Sequence, residues 1–332
     1  MIRKQKTGIK IIMVVLGALL LLAPFTGCAV EKAKEPVVFG YGGWDTVQFM
    51  SNIAGFIVEH GYGHPVEYMP ATNVAIIAAV QRGDIDIHME IAERSLQEPM
   101  RKLMESGQGE KVGISFPGTW QGWLVPTYMI ENGDLPEGVS VEDMPKYWEL
   151  FKDPEEPTKG RFYSCIPGWQ CEKTNNLKIE AYGLDKYYNV FTPGSDAALS
   201  ASLVGAYEKG EPWFGYYWSP TWVLAKVDMT PLEEPTFDDK LWTEKAKYAS
   251  EYPLDENLIV VNVNLRGRAP EVVEFLGNYQ NTYEQINDAL LYMKDNEAEP
   301  PETAVWFLKN YESVWTQWVP SDVASKVKAA LP

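Results

Sequence analysis

Three histidines and three cysteines in 332 residues leave few resources for a zinc site or a histidine-based catalytic relay. The sequence has no Gly-x-Ser-x-Gly elbow, no Walker A loop and no His-Glu-x-x-His, so the commonest hydrolase, nucleotide-cleaving and metalloprotease signatures are absent. Basic residues are also scarce. Lys and Arg total 29 against 46 Asp and Glu, a net charge of −17, and so acidic a surface repels phosphate backbones and argues against a nucleic-acid partner. No short repeat or low-complexity segment is present. Hydrophobic residues at 45% and charged residues at 23% exclude a largely disordered chain. What is abundant is aromatic: 13% of residues, with twelve Trp and eighteen Tyr. Large rigid rings fill cores, but their faces also make flat or cation-facing binding surfaces.

The N-terminus reads as a processing signal. Arg3, Lys4, Lys6 and Lys10 precede an apolar run from Ile11 to Leu22, short for the ~20 residues of a spanning helix. The segment closes at Ala23-Pro24-Phe25-Thr26-Gly27-Cys28, similar to a bacterial lipobox, with Phe25 where Leu is usual. Residues 1–27 are predicted to be a lipoprotein signal peptide, Cys28 the lipid anchor and residues 28–36 a tether. The alternative is an uncleaved membrane anchor. Both readings place the remainder outside the cytoplasm, held to the membrane on its extracytoplasmic face, and loss of the four positive charges takes −17 to −21. In that oxidising compartment Cys165 and Cys171 favour a disulfide over two free thiols. So short a loop adds little chain-entropy stabilisation, and its use would be to fix the backbone around Trp169.

At ~150 residues per domain the length suggests two lobes. From Val37 onward short apolar runs alternate with helical stretches, the pattern of βα units and an α/β fold. Val37–Tyr41, Val66–Met69, Ile85–Glu90, Lys111–Phe116 and Gly122–Met129 read as strands. Asp45 reads as a helix N-cap, and Gly83 as a helix end. After a Pro-, Gly- and acid-rich stretch with a short helix at Val141–Phe151, a second series follows: strands at Arg161–Ile166, Tyr187–Phe191 and Trp213–Trp218, with helices at Glu172–Tyr182 and from Ser195 to Tyr207. Leu258–Asn264 reads as a strand returning to the first lobe. The tail reads as helices Pro270–Asn278, Tyr283–Met293, Thr303–Trp318 and Asp322–Ala330, with Trp306, Trp315 and Trp318 as core. This assigns 37–128 and 258–332 to lobe 1 and 129–257 to lobe 2, with a ligand cleft between them at the strand ends.

Two segments could carry chemistry in that cleft. The turn Pro167-Gly168-Trp169 follows a strand and leads into a helix, so the amides of Gln170 and Cys171 point at whatever docks there and favour an anion. Tyr216-Tyr217-Trp218 ends another strand of the same lobe. Several ring faces together can hold a quaternary ammonium, which has no N–H to donate. Trp44 follows Gly42-Gly43 at a turn facing the cleft, and Arg94 is a candidate for a ligand carboxylate or a solvated helix residue. Glu90 is read as a strand-end carboxylate paired with Arg94, with a place near a bound cation as the alternative. His88 is read as a hydrogen-bonded sheet histidine.

These residues carry a resemblance. Gly43-Trp44-Asp45, Gly83 through Glu90, Gln121 through Tyr128, Pro167-Gly168-Trp169 and Gly215-Tyr216-Tyr217-Trp218 are similar to the substrate-binding proteins of glycine betaine/proline betaine ABC importers. The resemblance spans nearly everything from Val37 onward. It implies a type II periplasmic-binding-protein fold with two α/β lobes that close on ligand, no catalysis, no cofactor and no metal. It implies Trp169 and Trp218 as two of three cage tryptophans, the Gln170 and Cys171 amides as donors to the ligand carboxylate, and a disulfide around Trp169. It also implies an ABC permease and ATPase as partners, with the binding protein a monomer. The third cage tryptophan of the family ends a Glu-Val-Trp sequence where this chain reads Glu90-Ile91-Ala92. Another ring (Trp44, Tyr41, Trp120 or Trp123) fills the gap, or the ligand differs. The expectation is therefore an extracytoplasmic binding lipoprotein for glycine betaine or a related quaternary ammonium, serving osmoprotectant uptake. Choline, carnitine or an amino-acid derivative are alternatives, and an enzyme acting on trimethylamine compounds is a more distant one.

Overall fold

The strands, in chain order, are β1 (Val37–Tyr41), β2 (Val66–Pro70), β3 (Ile87–Ala92), β4 (Gly109–Pro126), β5 (Gly160–Tyr163), β6 (Tyr188–Phe191), β7 (Gly215–Ser219), β8 (Met229–Pro231) and β9 (Asp255–Asn262). The structure is a computed structural model that describes residues 34–332. The expected signal peptide, the expected anchor Cys28 and the expected tether as far as residue 33 lie outside the described residues. What was read as the end of the tether is pinned to the body: Lys34 Nζ donates to the Tyr62 carbonyl at 2.8 Å, and Arg268 to the Pro36 carbonyl at 2.6 Å.

The strands run in the order β2-β1-β3-β9-β4-β7-β5-β6, with β8 on β4. β1 is parallel to β2 and β3 because helices Asp45–Phe56 and Asn73–Arg82 carry the chain back between them. β5 is likewise parallel to β6 and β7, with helices Gln170–Ala181 and Asp196–Lys209 as crossovers. Val37 and Phe39 of β1 and Phe162 of β5 are fully buried. Local signals set several boundaries. Ser195 accepts from the Ala198 N–H at 3.2 Å, and Gly83 ends its helix at φ +80°, the left-handed conformation glycine adopts without strain. Asp45 is the first helical residue and not the cap; Trp44, extended at φ −134°, ψ 152°, holds the cap position.

The two strands expected at Lys111–Phe116 and Gly122–Met129 are one. β4 runs for 18 residues, pairing first with β9 and from Trp120 onward with β7 and β8. Its register against β9 slips between Lys111 and Gly113, Ile114 and Phe116, and Phe116 and Thr119, and bulges bend a strand without ending it. β4 therefore runs through both α/β halves, and β9 returns beside it. Other elements depart from expectation for local reasons. Val141–Phe151 forms two 3-10 turns, Met144–Lys146 and Trp148–Phe151. The expected helix Thr303–Trp318 breaks at Tyr311 into Pro300–Asn310 and Glu312–Trp315. The helix Gln97–Glu105, which was not expected, buries Met100 and Leu103, with Leu96 one turn earlier on the same face. Trp315 and Trp318 are core, whereas Trp306 is half-buried and stacks on Tyr292 at 4.6 Å. Among the described residues no helix is long and apolar enough to cross a membrane.

Candidate ligand pocket

Three indoles converge on one pocket. Trp44 arrives from the turn after β1, Trp169 from the turn after β5 and Trp218 from β7. The Trp44 and Trp169 centroids are 5.1 Å apart at 72°, and those of Trp169 and Trp218 5.5 Å apart at 68°. Both are edge-to-face arrangements. Trp169 is thus the middle ring, and the faces of its neighbours are turned around it. The pocket encloses about 70 Å³, room for several waters or one compact head group. Tyr216, stacked on Trp218 at 6.0 Å, and Tyr252 extend the aromatic lining.

Glycines place two of these rings. A Cβ at Gly42 would run into the Trp44 indole, so the ring lies over a stretch of backbone that only glycine leaves clear. Gly168 sits at φ +82° directly before Trp169, and a Cβ there would come within 3.0 Å of Thr72. The left-handed turn and the close approach together aim Trp169 at the pocket.

The pocket also has polar lining. Trp169 caps helix Gln170–Ala181 without a side-chain acceptor. The N–H groups of Gln170 and Cys171 have no acceptor among the described hydrogen bonds, and both residues line the pocket. A helix N-terminus with free N–H groups is a ready anion seat. Cys165 and Cys171 are joined as a disulfide, with Cα atoms 5.6 Å apart, which ties the start of this helix to the end of β5. A chain of hydrogen bonds fixes the floor. Tyr216 donates to Gln121 at 2.8 Å, Gln121 to Ser95 at 2.9 Å and Ser95 to Asp255 at 2.9 Å. Burial raises the Asp255 carboxyl, although it accepts from the Arg94 and Ser95 N–H groups.

Ala92 lines the pocket, and of Trp44, Tyr41, Trp120 and Trp123 it is Trp44 that lines it as well. Tyr41 instead bonds Asn52 and packs on Tyr68. Trp123 is fully buried away from the pocket. It belongs to a second aromatic cage already occupied by the protein's own cation: Lys178 Nζ lies 4.5 Å from the Tyr252 ring centroid, 5.3 Å from Trp123 and 5.7 Å from Trp242. Lys178 pairs with Glu234 at 2.5 Å, both side chains being buried, and desolvation lowers its pKa against the pull of Glu234. Arg94 is also outside the pocket. Its side chain is exposed and lies 5.8 Å from the Phe237 ring, while its carbonyl accepts from Trp242. The expected Glu90–Arg94 pair does not form. Glu90 lines the pocket and accepts from the Thr46 hydroxyl at 2.6 Å. His88 is fully buried, its pKa driven down to about 3 by desolvation. Tyr252 and Thr174, which complete the lining, carried no sequence signal; a loop tyrosine and a helical threonine are common anywhere.

The fold and the pocket define a two-lobed solute-binding protein of the periplasmic-binding class. The profile of the substrate binding domain of ABC-type glycine betaine transport systems matches residues 35–310, and the chain belongs to that family. It is 25% identical over 240 residues to the glycine betaine/proline betaine-binding periplasmic protein of Escherichia coli, across 68% of this chain and 72% of that one. It is 27% identical over 199 residues to the glycine betaine-binding periplasmic protein of Dickeya dadantii, across 56% and 58%. Among solved structures it is similar to the glycine betaine, L-proline ABC transporter binding protein of Borrelia burgdorferi, with TM-score 0.73 and 18% identity across 88% of this chain and 99% of that one. An ABC-transporter choline binding protein in complex with choline matches at TM-score 0.73 and 17% identity, across 90% and 98%. At such identities these structures establish the fold.

Proposed function

We propose that this protein captures glycine betaine or a closely related quaternary ammonium outside the cytoplasm and hands it to an ABC permease and its ATPase. The ammonium lies among Trp44, Trp169 and Trp218, and the ligand's anionic end takes the N–H groups of Gln170 and Cys171. The observation that carries this reading is the convergence of three indoles on one pocket that is also lined by Gln170 and Cys171, whose N–H groups have no acceptors among the described hydrogen bonds. A methylated nitrogen donates no hydrogen bond, so ring faces are the groups that attract it, while the helix end supplies the complementary charge. The lobes are 37–128 with 258–332, and 129–257. They close as ligand contacts favour the closed form, and Cys28 holds the protein to the membrane. Calorimetric titration with glycine betaine, proline betaine, choline, carnitine and proline tests the reading. Saturable binding of at least one quaternary ammonium, with proline much weaker, is expected. Failure of every quaternary ammonium to bind would end it.

A further inference from the structure

The pocket holds one buried carboxylate that the scheme above does not use. Glu90 sits on β3, 9% exposed, lining the same space as Trp44, Trp169 and Trp218. The groups around it are known from every side. Its own strand offers His88, whose Nδ1 accepts from the Glu90 N–H at 3.4 Å and whose burial keeps it uncharged. Helix Asp45–Phe56 offers the Thr46 hydroxyl, and the turn before it the Trp44 indole. The segment after helix Pro270–Asn278 offers the Tyr279 phenol, itself pushed up by burial and by the Glu90 charge. β4 and β9 offer Thr119 and Asn257, which bond each other. Across the pocket stand Tyr216 and Tyr252, both held neutral by burial. Among the described residues no lysine or arginine pairs with Glu90.

We propose that Glu90 is the counter-ion of the ligand's ammonium, and that a quaternary ammonium enters the pocket as Glu90 gives up its proton to solvent. This rests on the binding reading above and adds the charge that discriminates the ligand. A carboxylate buried without a cationic partner is held in its acid form, and burial raises Glu90 to about 7. An ammonium lodged against it restores the missing positive charge and favours the carboxylate, typically by ~1–3 pKa units at such range. The sign follows by linkage. Ligand binds the ionised form, so affinity falls as pH drops below about 7 and levels off above it. The pocket thereby selects positive charge and not merely shape.

Calorimetry with choline and glycine betaine at pH 6 and pH 8, each in two buffers of different ionisation enthalpy, reads the proton directly. Expected at pH 6 is release of a large fraction of one proton per ligand, with almost none at pH 8 and an affinity roughly five- to tenfold higher there. Glu90→Gln is expected to bind at least tenfold more weakly at pH 8, with no proton release and a flat pH profile. The uncharged carbon isostere of choline, 3,3-dimethylbutanol, should bind wild type without proton release. Binding of both ammonium ligands without proton release in the wild-type protein, or a wild-type pH profile retained in Glu90→Gln, overturns the role of Glu90 and leaves the binding reading standing. If no quaternary ammonium of the panel binds at any pH, both fall together.

Discussion

Replacing Trp169 by alanine is the sharpest perturbation of the pocket, because Trp169 is the ring that touches both others. A desolvated ring–cation contact contributes about 2 kcal/mol. The edge-to-face pairs with Trp44 at 5.1 Å and Trp218 at 5.5 Å contribute about 0.5–1.5 kcal/mol each, and without them the two remaining rings lose their support. Loss of the first and part of the second amounts to roughly 2–3 kcal/mol, or a roughly 30- to 150-fold weaker Kd at 1.4 kcal/mol per tenfold. Titration calorimetry with the tightest-binding quaternary ammonium measures it, with circular dichroism as the check on folding. Trp169→Phe should recover part of the loss. Trp123→Phe is the control: its ring faces Lys178, so it should lower Tm and leave Kd nearly unchanged. A folded Trp169→Ala protein with wild-type affinity would refute the arrangement of rings around the ammonium.

Three further outcomes follow from the packing around the pocket and the buried charges. Gly42→Ala should weaken ligand binding without touching ligand, because its Cβ displaces the Trp44 ring; an unchanged Kd would show that the ring position is immaterial. Glu234→Ala leaves Lys178 charged and buried and should cost about 3–5 kcal/mol in denaturant unfolding, whereas Lys178→Met combined with Glu234→Leu should recover most of that; equal losses in the two proteins would contradict a buried ion pair. Asp196 is raised to about 7, first by burial and then by the neighbouring Asp45 carboxylate. An acid with a raised folded pKa is penalised increasingly as pH climbs from about 4, so Asp196→Asn should match wild-type Tm at pH 4 and exceed it at pH 8, and a constant difference across that range would refute this.

Much of the fold was legible because the signals are local. The apolar run Val37–Tyr41, the serine cap at Ser195 and the glycine stop at Gly83 each act within a turn or two of chain. β4 was misread because Pro117-Gly118 looks like an interruption, and only pairing with β9 shows that bulges absorb it. The helix Gln97–Glu105 was missed although Leu96, Met100 and Leu103 recur at helical spacing, since Pro99 and the charged residues between them resemble a loop. In the site, Pro167-Gly168-Trp169 announces itself through its turn chemistry. Glu90 was visible, but its partner was misassigned: Arg94 is four positions away and Thr46 forty-four, and sequence proximity favours the wrong one.

The sequence by itself determined the order of βα units and the turns that present Trp44, Trp169 and Trp218 at strand ends, since backbone preference and hydrophobic period are properties of short stretches of chain. Tertiary structure alone decided which indole lines the pocket. Trp44 and Trp123 are chemically identical. One lines the pocket together with Ala92, and the other faces Lys178, a residue distant in sequence that fills its cage from within. What a ring binds is set by the residues packed opposite it, and only the folded chain brings those together.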